Sequence, residues 1–118
     1  MSDQVSWLLE LAVKPGELDN LRTLMTAMVA STQGEPGTLA YEWFIDEGGG
    51  GVHVYERYAD SAAVMAHLGT FGERFADRFL GAVDPTRFTV FGTPSAEVRA
   101  GLAGFGPTYL QPFGGFAR

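Results

Sequence analysis

The chain has 118 residues, 46% of them hydrophobic, which is the size and composition of one domain with its own core. It contains no cysteine, which excludes disulfides, thiolate catalysis and cysteine metal sites. The formal net charge is −6 and lysine and arginine number only 8, which argues against nucleic acid and anionic membranes as partners. Because the sequence starts without a signal-peptide pattern and no apolar run reaches about 18 residues, we expect a single soluble, cytoplasmic domain over residues 1–118.

The first third of the chain predicts a strand followed by a helix. Apolar residues alternate from Val5 to Val13, which indicates a strand whose second face is only partly polar. Pro15-Gly16-Glu17 then opens a helix whose apolar positions recur at intervals of three and four, namely Leu18, Leu21, Met25, Met28 and Val29. Gly34 is predicted to end this helix, and Glu35-Pro36-Gly37 to form a type II turn.

Two further strands are predicted on either side of a run of glycines. The first extends from Thr38 to Asp46 and the second from Val52 to Tyr58. The glycine run joins two strands and is followed by neither a GK[ST] motif nor a helix start, so it does not match a phosphate-binding loop. We therefore interpret it as a hairpin turn between antiparallel strands.

A second helical region is predicted from Asp60, whose carboxylate suits the N-cap position. Ala63, Val64 and His67 share the face of this helix that points to the core. The helix is expected to end at Gly69, and a second piece to follow that ends at Gly81. Three phenylalanines lie four residues apart in this second piece, Phe71, Phe75 and Phe79, which is typical of a core stripe.

The last third predicts a strand, a short helix and an aromatic arm. Asp84-Pro85 indicates a turn before a fourth strand over residues 86–92. Thr93-Pro94 is the expected N-cap and first position of the short helix. Residues 95–118 thus comprise a helix and an arm rich in aromatic residues, which we expect to lie as an edge strand or arm on the fold or on a partner.

The order β-α-β-β-α-β predicts a ferredoxin-like α+β fold with an antiparallel sheet. Two helices can cover only one face of such a sheet, but the first, second and fourth strands carry apolar residues on both faces. The second face is therefore expected to pack against another copy of the chain, which predicts a homodimer with a barrel-like interior.

The polar residues within this pattern leave alternatives open. His67 is either a packed core histidine or a proton-handling group, and the residues alone do not decide between them. His53 is expected at the solvent or an interface, and Trp7 and Trp43 as core or interface anchors. No metal-ligand spacing is present. Three glutamates fall within strands, where any buried one is expected to pair with Arg57 or Arg87: Glu10, Glu42 and Glu56.

Four segments together resemble the antibiotic biosynthesis monooxygenase-like family of dimeric α/β-barrel proteins. The first is Val13-Lys14-Pro15-Gly16 before the first helix, and the second is Glu35-Pro36-Gly37-Thr38-Leu39-Ala40-Tyr41-Glu42. The third is Tyr55-Glu56-Arg57-Tyr58-Ala59-Asp60 with His67 after it, and the fourth is Gly114-Gly115-Phe116-Ala117-Arg118. The resemblance covers almost the whole chain.

The resemblance implies oxidation of a small quinol or phenol by molecular oxygen, with no metal, flavin or haem cofactor. It implies that His67 handles the proton and that Tyr58 and Glu56 orient it or hold a substrate oxygen. It also implies a substrate pocket with apolar walls from Val54, Val64, Phe71 and Phe75.

Some residues depart from the patterns of better-defined family members. Members that make polyketide quinones have Asn, Trp and Tyr where this chain has Val54, Tyr58 and Val64, so the chain is more similar to the small quinol monooxygenases. The Asn and Trp of haem-degrading relatives are also absent. A non-catalytic module that binds a small aromatic ligand, and an inactive dimer, remain the alternatives to an enzyme.

Overall fold

A computed structural model describes residues 2–118 and contains five strands and four helices within them. The strands are β1 (Val5–Val13), β2 (Thr38–Ile45), β3 (Gly51–Tyr58), β4 (Val83–Phe91) and β5 (Thr108–Leu110). The helices are α1 (Leu18–Gln33), α2 (Ser61–Arg74), α3 (Ala76–Ala82) and α4 (Ala96–Leu102), and one 3₁₀ turn covers Ala103–Phe105.

The strands form one sheet in the order β2-β3-β1-β4-β5, in which only the β4–β5 pair is parallel. This arrangement confirms the predicted ferredoxin-like fold. The central strand β1 alternates between buried and half-buried residues from Val5 to Ala12, because every second side chain points to the helix-covered face. The buried set is Val5, Trp7, Leu9 and Leu11.

The prediction for the second helical region is confirmed at its start and wrong at its end. Asp60 caps α2, since its Oδ1 accepts a hydrogen bond from the backbone N–H of Ala63 at 2.8 Å. The helix continues through Gly69 and breaks only at Phe75, whose φ is −126°. Gly69 is exposed, and a single exposed glycine costs a helix too little to end it. Gly81 likewise lies inside α3.

The predicted turn at Asp84-Pro85 is also wrong, because β4 begins at Val83 directly after α3. The pairing of β1 with β4 shifts register between Glu10 and Leu11. This bulge lies where Pro85 enters the sheet, and a bulge tolerates a residue that has no N–H to donate.

The C-terminal elements follow the predicted order with one change at the helix start. Ser95 rather than Thr93 is the N-cap of α4, and its Oγ accepts a hydrogen bond from the N–H of Val98 at 3.2 Å. Strand β5 lies parallel to β4 at the edge of the sheet, as expected for part of the arm. Residues 111–118 are exposed.

A close contact between Gly37 and Ala63 sets the distance from the turn after α1 to helix α2. A Cβ atom built on Gly37 would lie 2.5 Å from the Cβ of Ala63. The carbonyl of Gly37 also accepts a hydrogen bond from the N–H of Ala59 at 2.9 Å, just before α2. Only glycine therefore allows the turn to lie this close to the helix.

We expect Gly37→Ala to lower the free energy of unfolding by about 1–3 kcal/mol, because the added methyl group overpacks this contact. Urea denaturation measures the change. Gly69→Ala is the control, since nothing lies within 4 Å of a Cβ at that position of α2. Equal stability of Gly37→Ala and the wild type would contradict the proposed role of the contact.

Candidate functional site

His67 lies on the buried face of α2 between two glutamates. Its Nδ1 is 2.9 Å from Oε1 of Glu35, and its Nε2 is 3.3 Å from Oε1 of Glu56. The side chains of the histidine and of Glu56 are only 8% and 7% exposed, and that of Glu35 is 16% exposed. We call Glu35, His67 and Glu56 the carboxylate–histidine cluster.

Three different elements bring this cluster together. Helix α1 ends at Gly34, so that Glu35 lies in the following turn, where Thr38 Oγ1 donates to its Oε1 at 3.0 Å. Glu56 lies on β3, where alternate residues are buried on the helix-covered face. Helical spacing from the N-cap at Asp60 places His67 above both.

Tyr58 completes the hydrogen bonding of Glu56. Its hydroxyl donates to Oε1 of Glu56, the same oxygen that His67 Nε2 approaches. The Tyr58 ring also packs against the imidazole, with ring centroids 5.3 Å apart. Both groups therefore meet the same oxygen of Glu56, Oε1.

The two contacts of the imidazole differ in kind. Nδ1 makes a hydrogen bond with Glu35, whereas Nε2 lies 3.3 Å from Glu56 as an ion-pair contact. A neutral imidazole carries one N–H and an imidazolium carries two. The arrangement accommodates either form and places the ring next to both carboxylates.

Burial controls the protonation of the groups around Glu56. Desolvation raises the pKa of Glu56 above its usual 4.5, and this outweighs the opposing effects of His67 and of the Tyr58 hydroxyl. Burial, with a contribution from the Glu56 charge, also raises the pKa values of Tyr41 and Tyr58 well above 10. Glu56 is therefore a stronger base than an exposed carboxylate, while both phenols stay protonated at neutral pH.

The cluster borders a cavity of about 40 Å³ whose wall is mainly aromatic. Its lining comprises Trp7, Leu9, Met28, Tyr41, Trp43, Val54, Glu56, His67, Leu68, Phe71, Phe79, Phe88, Leu102 and Phe105. A cavity that binds benzene has a volume of roughly 150 Å³. An aromatic ligand therefore requires part of the wall to move outward.

The structure brings most of the predicted site residues together. His67 and Glu56 form the polar part of the cavity wall, and Val54 and Phe71 contribute to the apolar part. Tyr58 is outside the lining but bonds to Glu56. The remaining two predicted wall residues, Val64 and Phe75, are buried in the core outside the cavity lining.

Sequence reasoning missed four residues of this site. Trp7 and Trp43, expected as core or interface anchors, line the cavity, and within residues 2–118 their buried Nε1–H groups have no hydrogen-bond partner. Tyr41 packs edge-on against His67, with ring centroids 5.5 Å apart. Glu35 lies 32 residues before His67, and no local pattern connects the two.

The charged residues expected to pair within strands behave differently from one another. Glu56 is buried, but its partners are His67 and Tyr58 instead of an arginine. Glu10 lies 3.9 Å from Arg87 and 3.5 Å from His53, which is exposed as expected. Across the described chain, no group of three His, Cys, Asp or Glu side chains is arranged to hold a metal ion.

The sequence profile of the antibiotic biosynthesis monooxygenase family matches residues 5–84, which is more than half of the chain. The chain belongs to this family. A comparison with curated protein sequences gives no significant match.

Solved structures share the fold of this family member. MupZ from Pseudomonas fluorescens matches with a TM-score of 0.87 and 21% identity, covering 99% of this chain and 96% of MupZ. SnoaB, a cofactor-independent oxygenase from Streptomyces nogalater, matches with a TM-score of 0.68 and 13% identity, covering 80% of this chain and 97% of SnoaB. Rv0793 from Mycobacterium tuberculosis matches with a TM-score of 0.64 and 23% identity, covering 78% and 96%. At these identities the likeness is one of fold.

The described helices of this family member include none that is both long enough and apolar enough to cross a membrane.

The raised pKa of Glu56 predicts a pH-dependent loss of stability. The folded protein holds this proton more tightly than the unfolded chain, so the contribution is complete at low pH and is lost as the pH rises above 4.5. We expect the free energy of unfolding of the wild type to fall relative to that of Glu56→Gln over this range, measured by urea denaturation. Glu42→Gln, on the neighbouring strand, controls for the removal of one carboxylate. A constant difference between wild type and Glu56→Gln at all pH values would contradict the assignment.

Proposed function

We propose that this chain is a cofactor-independent monooxygenase that oxidises a small phenol or quinol with molecular oxygen. The observation that supports it most directly is a buried glutamate–histidine pair at the wall of an aromatic cavity. The description of the fold neighbour SnoaB as a cofactor-independent oxygenase is consistent with this chemistry.

The reaction needs a base and a site from which water is excluded. A phenol has a pKa of about 10, and its phenolate is a far better electron donor to oxygen than the neutral form. A carboxylate with a raised pKa is suited to take that proton, and aromatic walls hold the ring and exclude bulk water. The electron-rich substrate then reduces oxygen itself.

In this proposal Glu56 is the catalytic base that touches the substrate hydroxyl. Both nitrogens of His67 already face carboxylates, so the imidazole has no free nitrogen for the substrate. This assigns His67 a place behind the base, whereas the family resemblance implied that His67 itself handles the proton. Tyr58 holds Oε1 of Glu56 and leaves Oε2 directed to the substrate.

The proton then moves away from the cavity along the cluster. Oε2 of the Glu56 carboxylate takes the phenolic proton, and the imidazolium of His67 keeps its Nε2 proton directed to Oε1 of Glu56. The Nδ1 proton passes to Oε1 of Glu35, at a distance of 2.9 Å. Glu35 is the most exposed of the three and releases the proton to solvent. The net result is a phenolate in the cavity and one proton in the solvent.

For a quinol the reaction balances without an external reductant. One oxygen atom of O₂ forms a bond to a ring carbon and becomes a hydroxyl group, and the other leaves as water. The electrons come from the quinol, which becomes a hydroxyquinone. Trp7 and Trp43 line the cavity, and their indole N–H groups are donors suited to hold the substrate oxygens.

We expect the wild type to consume oxygen with a panel of hydroquinones and phenols. In His67→Ala and Glu56→Gln we expect kcat to fall by about 10²–10⁴-fold, because this is the usual contribution of acid–base catalysis. Glu35→Gln keeps an acceptor for Nδ1 but cannot take a proton, so kcat should fall while KM stays constant. His53→Ala, which removes the exposed histidine, should retain full activity.

An oxygen electrode and a binding titration on the same proteins separate this proposal from its main alternative. Saturable binding of phenols without oxygen uptake would contradict the enzyme and support a module that binds an aromatic ligand. Full activity of Glu56→Gln would contradict the assignment of the base.

We also propose that two copies pair through the sheet face that the helices leave uncovered. This face carries Leu8 and Tyr55 in its centre and the exposed Phe44 and Phe91 nearer its edges. Arg57 also lies on this face, and its buried Nε has no partner among residues 2–118. A second copy would bury these rings and offer acceptors to the arginine.

Sedimentation of the wild type at micromolar concentration should therefore give a dimer. We expect Leu8→Glu to shift the equilibrium toward monomer, because it places a charge in the centre of the proposed interface. Leu80→Glu, at a residue of α3 that is 43% exposed, is the matched control and should remain dimeric. A folded wild-type monomer would contradict this proposal.

A further inference from the structure

The segment after β4 lies beyond the part of the chain that matches the family profile, which ends at residue 84. This segment contains α4, the 3₁₀ turn and β5. Two of its side chains, Leu102 and Phe105, nevertheless line the cavity beside the carboxylate–histidine cluster. The extension therefore supplies part of a wall that the matched region does not complete.

Phe105 occupies the outer part of this wall. Its ring centroid is 6.4 Å from that of Phe71 and 6.0 Å from that of Phe88, so it packs across the aromatic lining. Leu102 is only 1% exposed, whereas Phe105 is half-buried. Phe105 is therefore one of the lining residues that reach both the cavity and the surface, as do Tyr41, Trp43, Leu68 and Phe71.

The elements on either side of Phe105 are anchored to the rest of the fold. Helix α4 packs tightly on α2, since a Cβ on Gly101 would lie 3.1 Å from Cδ1 of Leu68. Strand β5 is held by its pairing with β4. Between these anchors, Gly104 and Gly106 flank Phe105, and a Cβ on either glycine would meet nothing within 4 Å.

We propose that Phe105 is a specificity-determining residue that limits the size of the aromatic ligand that the cavity accepts. The restriction on substrates rests on the proposed function, but the restriction on binding does not. With the side chain in place, the cavity of about 40 Å³ is smaller than one ring, so even a phenol must displace part of the wall, and a two-ring ligand must displace more of it. Removal of the phenyl group enlarges the cavity by about one ring, which favours the larger ligand.

The test compares phenol and 1-naphthol as probes by isothermal titration calorimetry on the full-length protein. The wild type should bind phenol more tightly than 1-naphthol. Phe105→Ala should raise the affinity for 1-naphthol relative to phenol by about tenfold or more, the scale of a cavity-size effect in an apolar pocket. Phe113→Ala is the matched control, because it removes the same side chain from a fully exposed position of the extension.

Phe105→Leu keeps an apolar side chain in the wall, so it should raise the affinity for 1-naphthol relative to phenol by a smaller factor. This variant replaces Phe105→Ala in the test if the alanine variant does not fold. The inferred role of Phe105 would be overturned if a folded variant had the same affinity for 1-naphthol relative to phenol as the wild type. It would also be overturned if the wild type bound neither probe. Oxygen uptake with phenols but an unchanged ratio would reject the role of Phe105 alone. A changed ratio without any oxygen uptake would reject the proposed reaction and leave the role of Phe105 in place.

Discussion

The contact of His67 with two glutamates is the interaction on which the rest of the site depends. Buried carboxylates and imidazoles are costly to desolvate, and a cluster of them persists only where each group has a partner. Here the partners come from the turn after α1, from β3 and from α2, so the cluster forms only when these elements have packed. The contact of Gly37 with Ala63 lets the turn lie close enough to α2 for this packing.

The cavity beside the cluster explains how so few polar groups could support oxygen chemistry. Its wall is largely aromatic, and its carboxyl group is Glu56. In the proposed reaction these surroundings would give the substrate proton one destination and would keep bulk water from the phenolate. Glu35 matters because it is the most exposed member of the cluster and therefore connects the buried pair, His67 and Glu56, with the solvent.

The sequence predicted most of the fold because its signals were local. Alternating apolar residues identify β1 and β3, and the carboxylate of Asp60 identifies the start of α2. The errors occurred where tertiary structure overrides a local signal, as at Gly69, which the helix tolerates, and at Pro85, which enters the sheet at a bulge. For the site, the helical spacing placed His67 on the buried face of α2, and the family resemblance implied roles for His67 and Glu56. Glu35 was not predicted, because only the folded turn brings it to His67.

The central claim is that His67 lies between two carboxylates in the buried cluster, with Nδ1 hydrogen-bonded to Glu35 and Nε2 in contact with Glu56. Two-dimensional ¹H–¹⁵N NMR of the imidazole ring measures this directly in the free protein. We predict a ring N–H of His67 in slow exchange with water, whose ¹⁵N shift changes in both Glu35→Gln and Glu56→Gln. A His67 ring with rapidly exchanging protons and the same ¹⁵N shifts in the wild type and both variants would contradict the account.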